Sequence, residues 1–253
     1  MLDRLGPLSQ EHRTMTAVRS GPLVLGFMGG KGGVGTSVIA AAVGHIAADK
    51  AIVIDLDSHG GGIELLLAAE GQPGQRWADL VHASGTLDPH ALRPAISAQG
   101  AAFISHGRTP VRLDPAAVCA VITAAKQRFE LVVLDLPRGL VDSEILACID
   151  HLLIVATGDV RSCASTAATI GDLRKQHSKI SAILRTSQDA VRIAEFLGVP
   201  LAAEVLWEPK LDHDIDNGIA PGSRKRGQIA VGVGQLLQWL TTQPVLPRRR
   251  AAS

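Results

Sequence analysis

Apolar residues in this chain fall into short runs with no polar alternation, separated by longer stretches of helical periodicity. The runs at 23–27, 51–56, 101–105, 131–134, 151–156, 180–184 and 201–205 are bounded by glycine, proline or charged residues and read as strands. Ala51-Ile52-Val53-Ile54 and Leu131-Val132-Val133-Leu134 are hydrophobic at every position, as a parallel strand covered on both faces requires. Helices are predicted at 37–48, 115–127, 161–175, 190–197 and 228–241. This alternation predicts an α/β fold, doubly wound, with a mostly parallel sheet and helices on both faces. Pro73, Pro89 and Pro94 break the pattern between 71 and 100, which reads as an insertion at the sheet's edge with short helical stretches at 77–83 and 89–95. No internal repeat is present, so 21–243 is read as one domain, with a polar leader at 1–20 and a basic flexible tail at 244–253.

Composition narrows the classes. Of 253 residues, 46% are hydrophobic and 19% charged, which excludes a disordered chain. A formal charge of +1 gives no global field toward nucleic acid or an anionic membrane. Aromatic residues make up 3%, with no tyrosine, too scattered for a base-stacking platform. No run approaches the roughly 18 apolar residues of a spanning helix. The leader carries Asp3, Arg4, Glu11, His12 and Arg13 without a hydrophobic segment, so a cytoplasmic protein is expected. Cys119, Cys148 and Cys163 have no metal-ligand spacing and read as core thiols.

The chemistry concentrates in Met28-Gly29-Gly30-Lys31-Gly32-Gly33-Val34-Gly35-Thr36-Ser37, between a strand and a helix, where a phosphate-binding loop must lie. Glycines let successive backbone N–H groups converge on an anion, and the Ser37 hydroxyl is placed to ligate Mg²⁺. Aligned on Gly30 to Ser37, the ordinary template places lysine where this chain has Thr36. Losing that charge-assisted contact costs about 1.5–3 kcal/mol, tenfold or more in affinity, so weak binding is expected. Two further strands end in carboxylates. Asp55 and Asp57 follow the run at 51–54 with a spacing that aims both at one side, although a turn or cap would use the same residues. Asp135 follows Leu131–Leu134 and precedes Leu136-Pro137-Arg138-Gly139, as in a Walker B strand leading into a switch loop; the alternative is a cap for a helix beginning near Asp142.

Lys31, one residue after the first glycine of the aligned template, gives the loop a resemblance to the deviant Walker A loop, KGGxGK[ST], of the ParA/MinD superfamily. The resemblance implies binding of ATP or ADP with Mg²⁺ through Gly30, Lys31, Gly32, Gly33, Val34, Gly35, Thr36 and Ser37, with Ser37, Asp55 and Asp135 on the metal side. It also implies a nucleotide-dependent homodimer in which Lys31 reaches the partner's phosphates, with Lys31 and Asp57 as the catalytic pair and Asp57 polarising the attacking water. Thr36 departs from the motif, so hydrolysis is expected to be slow or absent. Arg138 replaces the second proline of the family's DxPPG. Within the superfamily, Asp55-Leu56-Asp57 with Gly60-Gly61-Gly62-Ile63, Arg76-Trp77-Ala78-Asp79-Leu80, Asp135-Leu136-Pro137-Arg138 and Asp159-Val160-Arg161-Ser162-Cys163-Ala164 resemble the CpaE/TadZ group, especially actinobacterial septum-site-determining (Ssd) proteins.

That branch implies pilus-assembly or septal partners and recruitment to a pole or septum. Its members usually carry a receiver-like domain before the ATPase, which the polar residues at 1–20 do not supply. The proline-broken tail is unlike MinD's amphipathic helix, so no stable membrane anchor is expected. Ser223-Arg224-Lys225-Arg226 and Arg248-Arg249-Arg250 read as solvated charge, which argues against nucleic acid binding and leaves ParA-type DNA partition the runner-up. The cysteines do not match those of nitrogenase iron proteins, and Thr36 disfavours a dethiobiotin synthetase-like ligase.

Overall fold

Leu23–Gly29, seven residues without a charge, form β1, and the computed structural model describes the chain around it at residues 21–108, 111–139 and 141–243. The predicted leader and basic tail lie outside the described residues. Downstream of β1 come α1 (Thr36–Ala47), β2 (Ala51–Asp55), α2 (Ile63–Leu66), α3 (Trp77–Leu80), β3 (Ala95–Ile96), β4 (Ala102–Ile104) and α4 (Pro115–Ala125). They are followed by β5 (Leu131–Asp135), α5 (Ser143–Ala147), β6 (His151–Thr157), α6 (Val160–Leu173), β7 (Ile180–Arg185), α7 (Ala190–Leu197), β8 (Leu201–Glu204), α8 (Leu211–Asp216) and α9 (Gln228–Thr242).

The strands form one eight-stranded sheet in the order β3-β4-β2-β5-β1-β6-β7-β8, parallel throughout except for the β3–β4 pair. Successive side chains of each strand enter opposite cores. Val24, Met28, Ile52, Ile54, Val132 and Leu134 pack on one face with α4, α6 and α7, while Leu25, Phe27, Val53 and Val133 pack on the other with α1 and α9. Two apolar faces account for the continuous hydrophobic runs. The α/β, doubly wound, mostly parallel architecture is therefore the observed one.

Local signals set the helix ends. Asp114 accepts the Ala116 N–H ahead of Pro115 at the first position of α4, Asp159 accepts the Ser162 N–H at the start of α6, and Asp189 opens α7, which Gly198 closes in the left-handed region; these are the ordinary cap chemistries. The insertion differs from its predicted form. No helix spans 89–95: Pro89 and Pro94 bracket too few residues, the segment turns at His90–Ala91, and Ala95–Ile96 pair antiparallel with β4. The stretch at 77–83 contracts to Trp77–Leu80, and α2 and α8 are too short to show a period. Among the described residues no helix is long and apolar enough to cross a membrane.

Candidate functional site

The glycine loop leaves the carboxyl end of β1 at the centre of the sheet, with β5 on one side and β6 on the other. Because the chain departs to opposite sides at this point, a crevice opens outside the strand ends, where open α/β sheets bind ligands. Gly35 takes φ 82 immediately before α1, a left-handed turn that bends the loop's N–H groups toward the helix N-terminus. A Cβ on Gly35 would overlap Arg185 Nη1, and one on Gly30 would overlap Thr166 Oγ1. The Ser165 hydroxyl donates to the Gly30 carbonyl at 2.6 Å, so α6 fixes one end of the loop. Gly30, Lys31, Gly32, Gly33, Val34 and Gly35 form the loop, and Thr36 and Ser37 are the first two residues of α1.

Asp55 and Asp135 end neighbouring strands in register with each other, and Asp135 is also level with Phe27 of β1. Both carboxylates are buried, at 2% and 3% exposure. Burial pushes Asp135 up to about 7, with the Asp55 charge adding to the rise and the Ser37 hydroxyl bond opposing it. Burial likewise pushes Asp55 up to about 6, against the N–H groups of Ile63 and Asp57, which donate to its two oxygens at 3.1 and 3.0 Å. Asp55 thus holds the following loop in shape and adds charge, while Asp135 and Ser37 face each other. Asp57 is half-buried beside them, its Oδ1 accepting the His59 N–H at 3.1 Å. The cap for α5 is Asp142, whose side chain accepts the Glu144 N–H at 2.8 Å; Asp135 has no part in it.

Two desolvated carboxylates in register repel each other when both are charged, and a cation between them would relieve that repulsion. The hard oxygens of Asp135 and Ser37 suit Mg²⁺, which takes one or two carboxylates and completes its shell with water and phosphate oxygens. No group of three His, Cys, Asp or Glu side chains among the described residues forms a metal cage on its own. Raised carboxyl values mean that the folded state holds more protons than the unfolded state between about pH 4 and 7, so stability falls as pH rises through that window and levels off above it. Asp135→Asn should therefore stabilise the ligand-free protein at pH 8 by about 1 kcal/mol or more, roughly 2–4 °C in Tm. The difference should shrink toward pH 4, and paired thermal melts at the two pH values check both signs.

Positive charge surrounds the loop. Lys31 Nζ lies 3.4 Å from Asp159 Oδ2, and the Asp159 carboxyl is held down at about 2, first by the Thr157 hydroxyl and the Ser162 N–H. Arg138 Nη1 would stand 3.3 Å from a Cβ on Gly32. Arg185 Nη1 donates to the Val34 carbonyl at 3.1 Å, and its guanidinium lies 4.8 Å from the centroid of the Trp207 ring.

No protein-family model matches the chain. An uncharacterized protein of Mycobacterium tuberculosis, present in two strains, is 36% identical over 202 residues, covering 77% of this chain and 57% of the relative; the chain thus spans little more than half the length of the curated relatives it matches. Among solved structures, the MinD cell division protein of Aquifex aeolicus has a TM-score of 0.72 at 17% identity, covering 89% of this chain and all of that one. A ParA family ATPase from Chlorobium tepidum gives 0.73 at 19%, covering 86% and 98%. The fold is that of MinD and ParA. The septum site-determining protein MinD of Pyrococcus horikoshii, solved with Mg-ADP, gives 0.71 at 17%, covering 87% of this chain and 96% of that one.

On this MinD/ParA fold, several residues near the site carried little or no sequence signal of their position there. Arg185 closes an apolar strand that reads as ending at Leu184; its one signal is a lone charge at that end. Thr186, Gln188, Leu206, Trp207 and Gln228 line, with Arg185, a cavity of about 450 Å³ beyond β7 and β8. The buried Trp77 donates its indole N–H to the Asp55 carbonyl, tying the insertion to the carboxyl end of β2. Cys119 and Cys148 lie with their sulfurs 3.3 Å apart, and burial beside Cys148 pushes the Cys119 thiol up to about 12.

Proposed function

We propose that the chain is a MinD/ParA-like ATP-binding protein that works as a nucleotide-dependent localisation or assembly factor, with slow or no hydrolysis. The observation that carries this reading is the convergence of the Gly30–Ser37 loop, the Ser37 hydroxyl and the buried Asp135 and Asp55 carboxylates at one sheet edge. In this reading the loop amides and α1 hold the phosphates, Ser37 and Asp135 hold Mg²⁺, and Asp55 supports them. Asp57 orients the attacking water, and Lys31 acts across a homodimer. Thr36 removes the charge that would neutralise a transferring phosphoryl group, so rate suffers more than fold.

The finer reading, an assembly factor of the CpaE/TadZ type serving a pilus or the septum, rests on the segments at 55–63, 76–80, 135–138 and 159–164. A secretion ATPase and pilin genes beside its gene would support the pilus role, and a centromere-binding partner gene would support DNA partition. The partition alternative loses part of its basic patch, because Arg224 is engaged by both Asp214 oxygens. A steady-state ATPase assay tests the proposal: turnover well below about 1 s⁻¹ is expected. Brisk basal hydrolysis would make the chain a conventional ATPase, and DNA-stimulated activity with a steep salt slope would favour partition.

A further inference from the structure

Arg185 is 7% exposed, carries a full charge into the interior, and forms no ion pair with a carboxylate among the described residues. Its Nη1 donates to Val34 inside the glycine loop, whereas Nε and Nη2 are buried without a hydrogen-bond partner. Burial lowers its proton affinity, opposed only by the charge of Asp212. The Trp207 ring covers one face of the guanidinium, a contact that shields a cation without neutralising it. An unpaired buried charge is among the costliest features a fold can keep.

Its position makes the cost greater. Arg185 abuts Gly35, the residue before α1, so it adds a positive charge to the positive end of a twelve-residue helix. An anion seated in the loop would relieve both the buried charge and the helix terminus. The loop lacks lysine at Thr36, the position from which the ordinary template brings positive charge to the phosphates.

We infer that Arg185, from the end of β7, supplies from within the same chain the fixed positive charge against bound phosphate that Thr36 cannot supply. This rests on the nucleotide-binding reading but concerns the phosphate groups specifically. A fixed charge in a water-poor setting acts over a few ångströms without a direct hydrogen bond, so the Val34 contact can persist when phosphate is bound. Arg138, exposed to solvent beside Gly32, is the competing source, weakened by screening.

Calorimetric titrations of Mg-ADP, tripolyphosphate and adenosine into wild type, Arg185→Gln, Arg185→Lys and Arg138→Gln test the inference, with Arg185→Met as a second uncharged variant should Arg185→Gln fail to fold. The uncharged Arg185 variants should lose about tenfold or more in affinity for ADP and tripolyphosphate and change adenosine binding less than about twofold. Arg185→Lys should retain most of the affinity, and Arg138→Gln should lose less than Arg185→Gln. Unchanged ADP affinity in the uncharged variants, or an equal loss for adenosine, overturns the inference while leaving nucleotide binding intact. Wild type that binds tripolyphosphate but no nucleotide, with the same loss in the variants, upholds Arg185 and removes the nucleotide reading; no binding of either removes both.

Discussion

Thr36→Lys should tighten ADP and ATP binding about tenfold or more, the return of the roughly 1.5–3 kcal/mol that a charge-assisted phosphate contact supplies. Thr36 opens α1 immediately after left-handed Gly35, and its hydroxyl sits close to Gly29, so the position already lies on the inner side of the loop. A lysine there would share the phosphates with Arg185, and the two charges should couple. The gain from Thr36→Lys should be larger in an Arg185→Gln background than in wild type, since interacting sites are not additive. A titration series over the four proteins reads both effects. Equal affinity for Thr36→Lys and wild type would mean that the loop does not hold phosphate.

Lys31→Ala should weaken the proposed ATP-dependent dimerisation while leaving a folded monomer. Among the described residues Lys31 pairs with Asp159 at the start of α6, with both side chains more than 40% exposed. An exposed pair of this kind contributes little to stability, so the substitution should leave the melting temperature within a degree or two. Lys31 is poorly placed to fold back on its own nucleotide and is free to leave Asp159 for another phosphate. In a two-fold arrangement each subunit would offer its lysine to the other, and nucleotide binding would then strengthen association by linkage. Sedimentation velocity with and without Mg-ATP separates the alternatives. A solvated lysine with no role predicts identical sedimentation for wild type and Lys31→Ala in both conditions.

What could be read from the sequence follows the physics of burial. The sheet strands other than the short β3 were visible because both faces of the sheet are covered, which leaves apolar runs such as Ile52–Ile54 and Val132–Leu134 with no polar interruption. The loop and the carboxylates at strand ends were visible because their chemistry needs fixed spacings within a few residues. Long-range pairings were not. Arg185 reaches Val34 across 151 positions, Trp77 reaches Asp55 across 22, and Ser165 reaches Gly30 across 135; no local period encodes such contacts. The segment at 89–95 misled because Leu92 and Ala95 are both buried, giving an apolar spacing suited to a helix, while the flanking prolines enforce a turn and a two-residue edge strand instead.

In the proposed function the loop from Gly30 to Ser37, with Asp135, holds a nucleotide through its phosphates and Mg²⁺. A calorimetric titration of the wild-type protein with ADP, with and without Mg²⁺, at pH 8 and at pH 6.5, tests it most directly. Saturable binding strengthened by Mg²⁺ is expected at both pH values. Proton release should be larger at pH 6.5, where Asp135, raised to about 7, would have to lose its proton to the buffer before it could ligate the metal. Absence of binding even at millimolar ADP and ATP would contradict the account and leave the chain a scaffold that keeps the fold without the ligand.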